Sequence, residues 1–329
     1  MAEGRLLRKL IKAGAASGSE DFRRAAEEVI REERAKKHHL LASDLERILY
    51  GGPAPAMRRV SRDVPRDRER GLDLVEVREP VRALRDLVLA DTTSAVLERV
   101  LLEQQRSDLL ASYGLRPIAR LLFAGPPGCG KTTAAEALAT ELGVELVIVR
   151  ADAVVSSYLG ETAANLGKVF DFIGQLRCVA LFDEFDAIGK ERSDPSEHGE
   201  LRRVVNAFLQ MMDAFSGRSL LIAATNHERL LDSAIWRRFD EVVVFDKPTP
   251  EQLRQLFALK LRGVRYELPI EDRAFLARFS GISHADVERV IVRAIKTMAL
   301  KGSEFLTLPL VEDARKHEEE RLRMLSTQR

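Results

Sequence analysis

Apolar positions along this chain keep three different rhythms. Over residues 1–50 they recur three and four apart. Leu6, Leu7, Leu10 and Ile11 form one stripe. Phe22, Ala26, Val29 and Ile30 form a second behind a Ser19 cap, and Leu41, Leu45, Ile48 and Leu49 a third. This spacing predicts three short helices, each with one face to bury. Residues 51–71, GGPAPAMRRVSRDVPRDRERG, have almost no period. Their glycines, prolines and arginines predict a solvated linker.

From residue 72 to 247 the rhythm changes. The runs ARLLFAG, VELVIVRA, RCVALFDE, SLLIAATN and EVVVFD are short, apolar on both alternating faces, and separated by helical stretches. Strands of that kind are parallel and covered on both sides, which predicts an α/β domain. Within it, helices are expected over Ser94–Gln104 and Thr132–Leu142. Residues 248–329 return to helical spacing, with Leu253, Leu256 and Phe257 after Pro250. Val287, Val290, Ile291, Ala294, Ile295 and Met298 continue it. This predicts a separate all-α domain of about four helices.

Composition narrows the function. At 329 residues the chain has room for two to three domains of ~100–200 residues. Its 52 basic and 51 acidic residues nearly cancel, which argues against a dedicated nucleic-acid binder. Two cysteines, Cys129 and Cys178, give no disulfide framework and suit a reducing, cytoplasmic setting. No apolar run approaches the ~20 residues of a membrane helix. The first residues, MAEGRLLRKLIKAG, are basic and amphipathic, yet Glu3 and the acid-rich stretch behind them favour a folded helix over a transit peptide.

The chemistry begins at Gly125-Pro126-Pro127-Gly128-Cys129-Gly130-Lys131-Thr132-Thr133. This is G-x-x-x-x-G-K-T between a predicted strand and a predicted helix, the context a phosphate-binding loop requires. Its glycines allow successive N–H groups to face phosphate oxygens, and the helix N-terminus adds partial positive charge. Lys131 is expected to reach the β- and γ-phosphates, and the Thr132 hydroxyl to hold Mg²⁺. The run CVALFDE ends in Asp183, expected to stabilise Mg²⁺, and Glu184, expected to polarise the attacking water. Two adjacent acids at a buried strand end are costly unless a cation or a reaction uses them. LLIAATN ends in Asn226, which either starts a turn or meets the γ-phosphate. Arg237 and Arg238 either pair with local acids such as Asp240 or reach the nucleotide of a neighbouring subunit. Tyr158, followed by Leu159 and Gly160, is an aromatic on a loop entering a helix. It either packs on its own subunit or serves a function there.

In this order the phosphate loop, Tyr158-Leu159-Gly160-Glu161, Asp183-Glu184, Thr225-Asn226 and Arg237-Arg238 resemble the AAA family of ring ATPases. The resemblance covers about residues 87–313. Gly281-Ile282-Ser283-His284-Ala285-Asp286 looks like the family's G-x-S-x-A-D motif, which lies close to the adenine in relatives and brings His284 and Ala285 to the nucleotide. The resemblance implies a P-loop NTPase fold, a five-stranded parallel sheet between helices, with a C-terminal four-helix lid. It implies Mg-dependent ATP hydrolysis by a homo-hexamer, with Arg237 and Arg238 acting in trans. It also implies that Tyr158, Leu159 and Gly160 face a central pore and grip an extended protein client. Cys129 stands where relatives often carry threonine, and its thiol either makes the site sensitive to modification or is inert, as most such cysteines are. The segment Asp86–Gln105 departs from the family pattern, so no adenine contact is named there.

The layout further resembles bacterial stand-alone AAA ATPases encoded beside a subtilisin-like protease and linked to defence against foreign genetic elements. The chain itself carries neither G-x-S-x-G nor H-E-x-x-H, so proteolysis would need a separate subunit. Residues 1–50 are the expected client or partner domain, 51–71 the linker, 72–247 the nucleotide-binding domain and 248–329 the lid. Two rival readings are a nucleotide-driven assembly switch that does not thread clients, and a DNA-acting relative, which the neutral charge disfavours.

Overall fold

The computed structural model describes residues 63–155, 159–185, 198–226 and 236–327, together with residues 27, 28 and 31. The chain forms two compact units, Met1–Asp63 and Val64–Arg329. In the first, residues 27, 28 and 31 are helical; the remainder of the three expected helices, and linker residues 51–62, lie outside the described residues.

The second unit is built on one sheet. Its strands are β1 (Val75–Arg78), β2 (Arg120–Ala124), β3 (Glu145–Val149), β4 (Cys178–Phe182), β5 (Leu220–Thr225) and β6 (Glu241–Val244), in the spatial order β1-β3-β4-β5-β2-β6. The five strands from β2 to β6 are parallel, as expected. The sixth, β1, is an addition: it runs antiparallel to β3 at one edge. Only Val75 of its four residues is buried, so it carries too little alternation to be read from sequence.

The helices of this part are α1 (Asp91–Gln105), α2 (Ser107–Ser112), α3 (Lys131–Leu142), α4 (Ala151–Val154), α5 (Leu159–Gly174) and α6 (His198–Ala214). They cover both faces of the sheet. Strand β4 shows why its residues read as one unbroken apolar run. All five are buried. Cys178, Ala180 and Phe182 pack with Phe170 of α5 and Phe208 of α6. Val179 and Leu181 point the other way, toward Leu97 of α1 and Leu138 of α3. A strand with two dry faces has no polar positions to alternate with.

The lid contains α7 (Pro250–Lys260), α8 (Arg273–Ala277), α9 (His284–Leu300) and α10 (Leu308–Thr327). Two short parallel strands, β7 (Tyr266–Glu267) and β8 (Leu306–Thr307), accompany the four expected helices. Two of the lid helices start at capping boxes. Thr249 caps α7 with Gln252 answering, and Ser283 caps α9 with Asp286 answering. The lid core centres on Phe257, Phe275 and Phe279, whose rings meet at 5.0–5.4 Å.

The expected linker has a folded end. From Val64 the chain belongs to the second unit, and Asp67 is buried. Composition suggested solvent because the stretch is rich in arginine; what decides is that its polar groups find partners in the fold.

Candidate nucleotide site

The site gathers at the C-terminal ends of β2, β4 and β5, three strands adjacent in the sheet. Between β2 and α3 the chain makes the phosphate loop. Gly125 has φ 143°, and a Cβ there would run into the Phe245 carbonyl that follows β6. Gly128 has φ 75°, and a Cβ there would lie 2.6 Å from the Ser283 hydroxyl of the lid. Only glycine fits either place. The loop is therefore a cradle pressed between β6 and the lid.

Lys131, at the start of α3, is 6% exposed. Its ammonium donates to the carbonyls of Gly125 (2.6 Å) and Pro126 (2.9 Å) and to Oδ1 of Asn226 (2.8 Å). Thr132 donates its hydroxyl to Oδ2 of Asp183 at 2.7 Å. Two hard oxygen donors thus stand side by side, as a Mg²⁺ bound jointly with phosphates requires. Glu184 is the one non-glycine residue with positive φ (51°) among the described residues. Its N–H bonds Oδ1 of Asp183 at 2.9 Å, and its side chain is turned out to solvent. A left-handed backbone at a non-glycine residue costs roughly 1–3 kcal/mol and concentrates at functional sites.

The other predicted residues divide. Thr133 accepts a hydrogen bond from Arg82 at 3.4 Å. Cys129 is 3% exposed and burial pushes its thiol pKa up, so it is shielded and not primed for modification. Ala285 donates its N–H to the Gly128 carbonyl at 3.0 Å, joining the lid directly to the loop. Arg238 forms an ion pair with Asp213 of its own chain. The acid anticipated from sequence, Asp240, instead accepts from the N–H groups of Ala119 and Arg120 at 2.9 Å. Arg237 is exposed. Leu159 and Gly160 open α5, and Tyr158 lies outside the described residues.

Beside the loop lies a cavity of about 300 Å³. Val88, Leu89 and Val96 line one side, Val243 and Phe245 another, and Cys129 and His284 the end toward the loop and lid. Both ring nitrogens of His284 are buried without a hydrogen-bond partner, and burial lowers its pKa by disfavouring the charged ring. Apolar walls with a few polar groups, His284 at the loop end and Asp246, Lys247, Thr249 and Gln252 beside them, suit a flat heteroaromatic group. Val88, Leu89 and Val96 come from the segment whose sequence departed from pattern. Their only signal was apolar character ahead of a helix, which a core residue shares.

The lid end of this joint is braced by charge. Ser283 donates to Asp286 at 2.5 Å, Asp286 pairs with Arg289, and Glu318 on α10 accepts from Arg289 and Arg321 at 2.9 Å each. Burial pushes the Glu318 carboxyl up, but the two guanidiniums outweigh it and hold its pKa below the usual range.

Residues 121–247 match the family model for the ATPase family associated with various cellular activities (AAA). A protein of Sinorhizobium fredii described as an uncharacterized AAA family ATPase is 42% identical over 304 residues, 92% of this chain and 91% of that one. Among solved structures, the crystal structure of the FIGL-1 AAA domain aligns with a TM-score of 0.59 at 22% identity. It covers 74% of this chain and 85% of that domain, a likeness of fold. With nine-tenths of its length shared at that level of identity, this chain belongs to the AAA family of ATPases.

Proposed function

We propose that this chain is an ATP-hydrolysing ring motor that pulls protein clients through a central pore. One observation carries the reading: at the ends of adjacent strands Lys131 bonds Asn226 and its neighbour Thr132 bonds Asp183, with Glu184 turned outward beside them. In this reading Lys131 and Asn226 contact the terminal phosphates, exchanging their present bonds for phosphate oxygens. The Glu184 carboxylate takes the proton of the attacking water. Mg²⁺, when bound through Thr132 and Asp183, supplies charge neutralisation at the phosphates. The cavity bounded by Val88, Leu89 and His284 takes the base.

Assembly into a homo-hexamer would let exposed Arg237 reach the site of a neighbouring copy, with Arg238 held on Asp213 beside it. Tyr158, Leu159 and Gly160 would grip the client, since an aromatic ring offers apolar area to any extended chain. Lid movement about the Gly128–Ala285 contact would deliver the stroke. Cleavage of a threaded client would belong to a separate subunit, such as a subtilisin-like protease. Among the described residues no helix is long and apolar enough to cross a membrane.

The test is a trap. Tagged Glu184→Gln, with and without Tyr158→Ala, is purified under ATP and its co-purifying proteins are identified by mass spectrometry. Capture that depends on Tyr158 supports threading. Equal capture by both places the contact outside the pore and favours an assembly switch.

A further inference from the structure

The folded end of the linker has a specific target. Residues 65–74 close on themselves as a tight hairpin. Leu74 donates its N–H to the Pro65 carbonyl at 2.8 Å and Asp67 to that of Leu72 at 2.9 Å, and Arg66 pairs with Asp73 at 2.8 Å. Beyond the hairpin, Arg70 reaches the C-terminal end of α4. Its guanidinium donates to the carbonyls of Ala153 (2.9 Å), Asp152 (3.3 Å) and Val155 (3.3 Å). Helix α4 has four residues, too few to satisfy its own last carbonyls, and a guanidinium offers five N–H groups to do so.

The same hairpin also holds α5. Asn165, 2% exposed, donates to Asp67 at 3.1 Å, and Lys168 donates to the Arg66 carbonyl at 2.9 Å. Asp67 is the hub, accepting from both the N–H and Nε of Arg70 at 3.1 Å. Glu69 shares a hydrogen bond with Glu161 in the first turn of α5, and that bond raises its pKa. The partners on α4 end at Val155, and those on α5 begin at Glu161. Between them lie residues 156–160, the stretch that contains Tyr158.

We infer that hairpin 65–74 is a clamp on both ends of the client-contacting loop, with Arg70 its positioning residue. The inference rests on the threading reading above. A guanidinium spanning three carbonyls fixes where the loop leaves α4, and the Asp67–Asn165 bond fixes where it enters α5. A structural role alone would make the hairpin a surface finish whose loss weakens every property of the protein together.

The experiment separates these. ATP turnover of the full chain is measured with and without fluorescein-labelled casein, an unfolded probe, for wild type, Arg70→Lys, Tyr158→Ala and the double variant. Lysine keeps the charge and the aliphatic stem, but its compact ammonium cannot span three carbonyls, and protection of the sheet amides reports whether folding is retained. Arg70→Lys is expected to leave casein-free kcat and the KM for ATP within about twofold. It is expected to reduce casein stimulation about tenfold, the scale of about one lost charge-assisted hydrogen bond. The double variant should respond no worse than Tyr158→Ala. Amide hydrogen exchange in residues 151–165 should accelerate in Arg70→Lys while the sheet stays protected.

Full casein stimulation in Arg70→Lys, with Tyr158→Ala impaired, would overturn the clamp and leave threading standing. An intact response in Tyr158→Ala would remove threading and the clamp with it. A fall in casein-free turnover equal to the fall in stimulated turnover would reduce the hairpin to a purely structural role.

Discussion

The phosphate loop and the lid that meets it are held in shape by opposite means. The loop has little packing of its own. Its course depends on two glycines, Gly125 against the Phe245 carbonyl and Gly128 against Ser283, and on one lysine bonded to loop carbonyls. The lid has a core of phenylalanines and a chain of ion pairs from Asp286 to Glu318 and Arg321. A shape made by excluded volume at a few backbone positions should fail abruptly when one is changed. A shape made by many side-chain contacts should yield in increments.

The sharpest break is expected in the loop. Lys131→Ala removes the cation bound to Gly125, Pro126 and Asn226. Binding of a fluorescent ATP analogue should weaken by two orders of magnitude or more, about the worth of two charge-assisted hydrogen bonds. Undiminished affinity would remove Lys131 from the phosphate site. Next, Glu184→Gln should keep nucleotide binding and lower turnover by about 10²-fold or more, the usual weight of a positioned general base. Normal turnover would deny it that role.

The lid should respond more gradually. Phe279→Ala empties a fully buried ring site and should cost about 3–5 kcal/mol of stability by denaturant unfolding. Glu318→Gln should cost less, about 1–3 kcal/mol, because Arg289 keeps Asp286 as a partner. If Glu318→Gln proves as damaging as Phe279→Ala, the ion pairs rather than the rings hold the lid together, and the contrast drawn above must be revised.

The smallest effect concerns acid. Asp67 has its carboxyl held at about 2, below the ordinary 3.8, chiefly by the Asn165 hydrogen bond and then by Arg70. A folded-state pKa below the unfolded one means stability that is complete above about pH 4 and lost as pH falls toward 2. The difference in melting temperature between wild type and Asp67→Asn should therefore be constant near neutrality and shrink as pH falls from about 4 to 2. A difference that persists unchanged at pH 2 would show that the carboxylate charge is not what holds the hairpin.

How much of this was legible in the sequence follows the same contrast. Gly125, Gly128 and Lys131 lie within seven consecutive residues, and local backbone demands leave local traces. The two-sided burial of β4 left an unbroken apolar run. Contacts between distant side chains left nothing comparable. Arg289 and Glu318 are 29 positions apart, and Arg238 found Asp213 where Asp240 had been the nearer acid. Arg70 misled in a particular way. In composition it counted as one more solvated charge, while in the fold its donors go to backbone carbonyls, which every residue possesses and no residue advertises. The cavity beside His284 was hidden for a related reason, since its walls come from four separated segments, of which those around Val88–Val96 and Val243–Phe245 read as ordinary core.

The Ala285–Gly128 bond carries a consequence for inheritance. It joins one peptide group to another, and a peptide group is supplied by any codon. At position 285 small replacements preserve the donor and only proline deletes it. At position 128 every replacement adds a Cβ 2.6 Å from the Ser283 hydroxyl. A saturation library scored for ATP hydrolysis should thus show two ends of one bond with unequal freedom, position 285 admitting glycine and serine and position 128 admitting almost nothing. The joint between lid and loop would drift slowly at one end and be pinned at the other.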